Sequence, residues 1–290
     1  MGNRHFSQYL LNKGILTADN AGAILAECHH TAPGLSVLAL ERNFIDAEQS
    51  LELSGAGDTA VAALSRNYLT ALQLDDLKKE APNRRACLGQ VVLNRQLVDF
   101  SGLAKLFKDN DGEYCYPVNE VFEELLQEQG VDADDYEYIR DYVELFLSTL
   151  QKFMRTNALI VRANNSDVDD TTYLTYQSMG GALSLTVGCR MTRSVMLAMG
   201  SRFGGEHLER VDEMAIDCIE EFCNVLNGLY IVNMSGKSRD MDLDMPRTIE
   251  NVEPVGDDVF QLRVETELGS FMLYMSMNGF IFNDGKSFKW

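Results

Sequence analysis

Positive charge is what this chain has least of: 25 Lys and Arg stand against 44 Asp and Glu in 290 residues, a formal net charge of −19. That balance argues against nucleic acid or an anionic membrane surface as a partner, since each needs a basic footprint. Long apolar runs are missing too. No stretch approaches the roughly 20 residues needed to span a bilayer, and Met1-Gly-Asn-Arg-His5 lacks the apolar core of a signal peptide. A cytoplasmic chain with no membrane insertion is expected. Six cysteines, at 28, 87, 115, 189, 218 and 223, show no C-x-x-C spacing. Several sit in apolar patterns where a thiol behaves as a small hydrophobe, so reduced, structural thiols are expected.

The common catalytic signatures are absent as well. No H-E-x-x-H, G-x-S-x-G or G-x-x-x-x-G-K-[ST] occurs, which leaves zinc protease, serine hydrolase and P-loop chemistry without support. Cys28-His29-His30 are adjacent and would point different ways on a helix, with no fourth ligand spaced to match. Asp240, Asp242 and Asp244 alternate with Met241, Leu243 and Met245, as a half-buried strand does. Gly200-Ser-Arg-Phe-Gly204-Gly205 reads as a helix end rather than a phosphate loop. No metal or cofactor of the chain's own is expected.

What is present divides into two parts. Residues 1–110 carry 11 basic and 12 acidic side chains, and the remainder 14 and 32. With Lys108-Asp-Asn-Asp-Gly112 as a polar break, the shift places a domain boundary near 112, giving domains 1–112 and 113–290.

The first domain repeats itself. Tyr9–Thr17, Leu38–Asp46, Ala62–Thr70 and Val91–Asp99 superpose on one pattern, with Leu11, Leu40, Leu64 and Leu93 each followed two residues later by Lys13, Arg42, Arg66 or Arg95. The spacing of 29, 24 and 29 makes a paired duplication of 53 residues. Each unit reads as helix, turn and helix. The turns pass through Gly14, Asn43, Asn67 and Gln96, and Thr17, Asp46, Thr70 and Asp99 stand as N-caps. Ile24, Leu53, Leu77 and Leu106 fall in register on the second helices. The four basic residues read as solvated side chains near helix ends, where a cation suits the dipole.

This pattern, over about residues 4–108, resembles the N-terminal domains of type II secretion and type IV pilus ATPases, whose repeats read roughly Leu-Gly-x-x-Leu-x-x-x-Gly-Leu-Ile. Some members bind cyclic di-GMP through the start of each repeat, and Arg85-Ala-Cys-Leu88-Gly89-Gln is the nearest match here. The resemblance thus implies nucleotide contacts at Arg85, Leu88 and Gly89. Phe6-Ser7, Leu35-Ser36 and Thr59-Ala60 depart from the pattern, and a protein-interaction or packing module is the other reading.

In the second domain, helical periodicity over 118–127 and 134–154 precedes strand candidates at 158–162, 172–176 and 182–187, with Gly180-Gly181 as punctuation. A helix from 192 to 202, a second central helix, and strands at 241–245, 259–264 and 269–275 complete an α+β arrangement. The second central helix holds Asp217-Cys-Ile-Glu-Glu221-Phe-Cys-Asn224-Val-Leu-Asn-Gly228. At about 100° per residue, Asp217, Glu221, Asn224 and Gly228 lie within roughly 60° of one another. Ala215, Ile219, Phe222, Leu226 and Leu229 gather on nearly the opposite side, so one face is expected to be buried and the other offered. Glu-x-x-Asn alone occurs by chance in many helices.

The motif and the element order together resemble the CheX branch of the CheC/CheX/FliY chemotaxis phosphatases, over about residues 115–280. The family signature is a Glu, an Asn three later and a Gly four beyond, matched by Glu221, Asn224 and Gly228. The helix at 134–154 has no second copy, since Glu137 is followed three later by Arg140 and Glu144 by Leu147; one site per chain is the CheX pattern. The resemblance implies helices packed on a mainly antiparallel sheet and hydrolysis of the phospho-aspartate of a CheY-like receiver domain. Asn224 would position water, and Glu221 would dock the receiver's Lys. Mg²⁺ would sit on the receiver. Gly228 would meet the partner or pack against a neighbouring helix, and Asp217 would assist docking or, like Glu220, be a solvated helix residue. A homodimer is implied too. The other function class is a binding module that holds a response regulator or a flagellar or pilus partner without hydrolysing it.

Overall fold

The structure, a computed structural model, describes residues 5–79, 83–112, 120–162, 171–256 and 258–282. It divides into two compact units, Met1–Cys115 and Tyr116–Trp290.

The first unit is all helix: α1 (Phe6–Asn12), α2 (Ala18–His30), α3 (Leu35–Glu41), α4 (Ala47–Ser54), α5 (Thr59–Ser65), α6 (Ala71–Lys79), α7 (Arg84–Asn94) and α8 (Phe100–Gly112). The four turns share one geometry. Gly14, Asn43, Asn67 and Gln96 have φ of +71°, +55°, +55° and +57°. Their N–H groups donate to the carbonyls of Leu11, Leu40, Leu64 and Leu93, and the next residue donates five back, to Leu10, Ala39, Ala63 and Val92. These are Schellman closures, which satisfy carbonyls that a helix end otherwise leaves open. The recurring Leu, base and turn residue in the sequence are the imprint of that closure.

Each following helix is capped. The amides of Asn20, Gln49, Gln73 and Gly102 donate to Thr17 Oγ1 (3.3 Å), Asp46 Oδ1 (2.9 Å), Thr70 Oγ1 (3.2 Å) and Asp99 Oδ1 (2.7 Å). In the first three the side chain of Asn20, Gln49 or Gln73 accepts from the cap's own N–H, closing a capping box. Ile24, Leu53 and Leu77 are buried, whereas Leu106 is only half-buried and Leu103 and Phe107 take the core positions of the fourth unit. The four bases are exposed, as expected, and some of them also pair. Arg66 reaches Glu52 at 3.1 Å and Arg95 reaches Glu27 at 2.7 Å, exposed pairs that contribute little to stability.

Gln96 is the one residue of the four turns that is neither Gly nor Asn, and a longer side chain in the left-handed region costs about 1–2 kcal/mol. Gln96→Gly should therefore raise the unfolding midpoint of this unit, by up to about 1 kcal/mol after the greater chain entropy of glycine is deducted. Urea denaturation checks it; a lower midpoint would contradict the assignment of strain.

The second unit is a mixed α and antiparallel-sheet layer structure. Its helices are α9 (Glu120–Glu128), α10 (Tyr136–Thr149), which runs on into a π-turn at Leu150–Met154, α11 (Arg193–Gly204) and α12 (Glu213–Gly236). Its strands are β1 (Ala158–Val161), β2 (Thr172–Gly181), β3 (Leu185–Thr192), β4 (Met241–Leu243), β5 (Arg247–Glu250), β6 (Pro254–Val255), β7 (Phe260–Thr266), β8 (Gly269–Ser276) and β9 (Ile281–Phe282). The large sheet runs β1-β7-β8-β3-β2, with β4 and β5 end to end along the outer edge of β2, every pair antiparallel. Asp244-Met245-Pro246 separates β4 from β5. β6 and β9 form a two-stranded ribbon.

Period-2 alternation sorts the sheet's two faces. Met179, Leu185, Val187, Cys189, Met191, Leu262, Val264, Phe271, Leu273 and Met275 face the helices in one core with Phe146, Phe222, Leu226 and Tyr230. Leu174, Tyr176 and Tyr274 on the opposite face pack with Val252, Phe280 and Phe282 in a smaller one. α11 lies close against α12. A Cβ at Gly204 would come within 2.8 Å of Cys218 Sγ, so a larger residue there would push the helices apart.

Several expected boundaries move. β2 does not stop at Tyr176 but continues to Gly181, and the turn into β3 is Ala182–Ser184 rather than the glycine pair. Gly181 has φ +143°, and a Cβ there would lie 2.5 Å from the Asp240 carbonyl; pairing with β4 keeps the glycine inside the strand. β4 ends at Leu243, and Met245, expected to be half-buried, is 77% exposed. β5, β6 and β9 carry no expected counterpart, being two to four residues long. Of the expected helix at 118–127, residues 118 and 119 lie outside those described, and so does Cys115.

Candidate functional site

α12 begins at an N-cap, Asp212, whose side chain accepts from the Ala215 amide at 3.3 Å. It packs between α10 and α11 and lies over β2, β4 and β5. Ala215, Ile219, Phe222, Cys223, Leu226, Asn227, Tyr230 and Met234 are buried. Leu229, expected among them, is 39% exposed. The buried arc is turned toward Asn227, which hydrogen bonds pull into the core, and this leaves Leu229 on the rim.

The outward stripe is as the helical count places it. Asp217 and Glu221 are exposed, and Asn224 and Gly228 half-buried. Among the described residues neither carboxylate is in an ion pair. The cation near the C-terminal end of the helix is occupied elsewhere: Lys237 bridges Glu137 at 2.6 Å and Asp141 at 2.5 Å. Those partners hold the Lys237 ammonium above its ordinary range, and Lys237 holds the Glu137 carboxyl below its own. Glu221 is thus an unneutralised charge on an open surface. Gly228 is not a packing glycine within this unit, since a Cβ there would meet nothing within 4 Å. Val232, one turn beyond Gly228, is 68% exposed, so acidic and apolar groups share one face of the helix.

Asn224 is held from below. Gln177, on the helix-facing row of β2 and 1% exposed, donates from Nε2 to Asn224 Oδ1 at 3.1 Å and to the Asp244 carbonyl at 2.7 Å. Its Oε1 accepts from Asn227 Nδ2 at 2.8 Å. Asn227 Oδ1 accepts from the Tyr142 hydroxyl, also at 2.8 Å. Burial pushes the Tyr142 phenol well above its ordinary range, so it remains a donor throughout the neutral and mildly alkaline range. Asn224 Nδ2 has no hydrogen-bond partner among the described residues. The result is a primary amide, fixed at its oxygen, with its NH₂ group free, one helical turn from an unpaired carboxylate.

Helical count at about 100° per residue sets Asn227 off the outward stripe, and the local sequence singles out neither Gln177 nor Tyr142. Continuing the alternation of β2 from Tyr173 through Thr175 would have set Gln177 on the inward face, where a buried amide is costly unless fully bonded. That is the signal that marks it.

Of the three residues of the first unit implied as nucleotide contacts, two lie in its interior and Arg85 is partly exposed. Leu88 and Gly89 are buried, and a Cβ at Gly89 would lie 2.8 Å from Phe107 Cζ. Arg85 pairs with Glu41 at 3.3 Å and Asp111 at 2.7 Å, donates to the Phe107 carbonyl at 2.6 Å, and stacks over the Phe6 and Phe107 rings. All three therefore have packing roles. Among the described residues, no group of three or more His, Cys, Asp or Glu is arranged to hold a metal, and no helix is long and apolar enough to cross a membrane.

No family model matches the chain, and no curated protein matches it at a significant level. Solved structures do show similarity. The chemotaxis protein CheX from Desulfovibrio desulfuricans is 13% identical, covering 49% of this chain and 99% of its own, with a TM-score of 0.41. CheX from Vibrio vulnificus is 10% identical, with coverage of 48% and 98% and a TM-score of 0.42. The CheX-CheY-BeF3-Mg²⁺ complex from Borrelia burgdorferi is 14% identical, with coverage of 48% and 96% and a TM-score of 0.38.

Proposed function

We propose that this protein hydrolyses the phospho-aspartate of a response-regulator receiver domain docked on the outer face of α12. The observation that carries the reading is the pairing of Asn224, its amide fixed at one end and free at the other, with the exposed, unpaired Glu221 one turn away. Hydrolysis of an acyl phosphate is phosphoryl transfer to water, in which the catalyst chiefly positions the nucleophile while cations neutralise the phosphoryl oxygens. A neutral amide suits the first task, because it orients water by hydrogen bonding without itself being protonated. The second task falls to the substrate: Mg²⁺ and a Lys of the receiver bring the positive charge that this acidic surface lacks.

Glu221 then has a docking role, accepting a charge-assisted hydrogen bond from the receiver's Lys. The open space at Gly228 supports close approach of the partner's backbone, and Val232 supplies apolar contact beyond the charge. Asp217 and Glu220 lie on or beside the same face as further negative charge.

Glu221→Gln keeps the shape and removes the charge. It should raise the receiver concentration at half-maximal rate by about tenfold, with a smaller change in kcat. Steady-state phosphate release at several receiver concentrations checks this; an unchanged half-saturation would remove Glu221 from the docking role. Hydrolysis itself is tested by the decay of acetyl phosphate-labelled receiver domains from the same genome in Mg²⁺, with and without the protein. Binding with unchanged decay would make the chain a holding module instead.

A further inference from the structure

We infer that Gln177 and Asn227 are positioning residues that fix the Asn224 amide with its oxygen turned inward and its NH₂ group turned to solvent; the chemical meaning of this rests on the phosphatase reading above.

The orientation follows from one group that has no choice. The Asp244 backbone carbonyl only accepts, so the end of Gln177 that lies 2.7 Å from it is the nitrogen. The same nitrogen is 3.1 Å from the Asn224 side chain, and a donor there requires Asn224 to present Oδ1. The other end of Gln177 is then the oxygen, which requires Asn227 to present Nδ2 at 2.8 Å. Asn227 Oδ1 is left facing Tyr142, whose hydroxyl donates at 2.8 Å. Each amide assignment fixes the next, from Asp244 in the loop between β4 and β5 to α12 and across to α10.

Both relay residues are enclosed. Gln177 is 1% exposed and Asn227 0%, so water does not substitute for a lost partner, and flipping any one amide breaks bonds at the others. Asn224 Oδ1 keeps one lone pair beyond the bond from Gln177, and both Nδ2 hydrogens remain. At the surface, therefore, Asn224 offers two donors and one acceptor in a set direction. A water that accepts from one of those donors keeps a second lone pair free for attack on phosphorus. A freely rotating amide would offer either end and hold that water part of the time.

The experiment uses the full chain and two readouts. The first needs no activity: the NMR order parameter of the Asn224 side-chain NH₂ group, compared with that of the exposed Asn233 on the same helix. The expected result is an ordered Asn224 amide in the wild type and a mobile one in Gln177→Met, with the α12 backbone unchanged. An Asn224 amide as mobile as that of Asn233 in the wild type would overturn the inference, whether or not the variant folds.

The second readout is turnover of an acetyl phosphate-labelled receiver. Gln177→Met should lower kcat by about tenfold or more with half-saturation within about twofold of wild type. Asn227→Leu should do the same to a lesser degree, because Asp244 still orients Gln177. Unchanged kcat in Gln177→Met would overturn the inference and leave the phosphatase reading standing. Absence of hydrolysis by the wild type would sink that reading, and the order parameter would still decide the relay.

Discussion

Replacing Asn224 with alanine is expected to lower the rate of receiver dephosphorylation by about a hundredfold or more at saturating receiver. The amide is the one group on the α12 face that both accepts and donates, and neither Asp217 nor Glu221 supplies a donor to take its place. Binding should survive. A BeF₃⁻-Mg²⁺ loaded receiver, titrated by calorimetry, should bind Asn224→Ala within about threefold of wild type, since the docking charge at Glu221 is retained. Stability should change by about 1 kcal/mol at most, because Gln177 loses one acceptor but keeps Asp244 and Asn227. A variant that retained more than about a third of wild-type turnover would exclude Asn224 from the chemistry.

The largest loss of stability is expected at Phe146. Its ring is fully buried at the centre of the helix-facing core, 6.0 Å from Phe271, 6.5 Å from Phe222 and 6.5 Å from Tyr142 between ring centroids. Phe146→Ala leaves a void among large, mutually packed side chains that have little room to collapse, so a cost of about 3–5 kcal/mol is expected. Urea denaturation followed by circular dichroism measures it, the transition of the second unit moving and that of the helical unit holding. A loss below about 1 kcal/mol would mean that the surrounding rings close the space. Because Tyr142 packs on Phe146 and donates to Asn227, this variant should also loosen the site, and turnover should fall more than the unfolded fraction alone explains.

The sequence was most legible where one physical rule acted alone. Turn closure and capping recur every 24 or 29 residues, and the left-handed φ values fall on Gly14, Asn43, Asn67 and Gln96 because few residue types tolerate that region. The outward stripe of α12 was legible from helical periodicity for the same reason. Legibility failed where two effects competed. The periodicity of Leu229 places it with the core, but hydrogen bonds to Asn227 turn the helix and leave Leu229 at the rim. Gln177 falls just past the expected strand end at Tyr176, because the Gly180-Gly181 pair reads as punctuation until the β4 partner is known. The relay itself joins residues 142, 177, 227 and 244, and long-range hydrogen bonds of that kind have no local signature. What could be read was that some residues of α12 face outward, not what holds one of them in place.

The broken outer edge of the large sheet has a consequence for the protein in a crowded solution. At one side the sheet ends in β1, four residues long, and at the other in β4 and β5, three and four residues long, interrupted at Pro246. Pro246 has no N–H to offer, and neither flank provides a long, regular row of free backbone groups for a foreign strand to extend. Unwanted templating, in which one molecule zips onto the next and grows into insoluble fibres, is thereby discouraged. The chain can keep an apolar, helix-borne face open for encounters while the described edges of its sheet offer little for open-ended fibre growth.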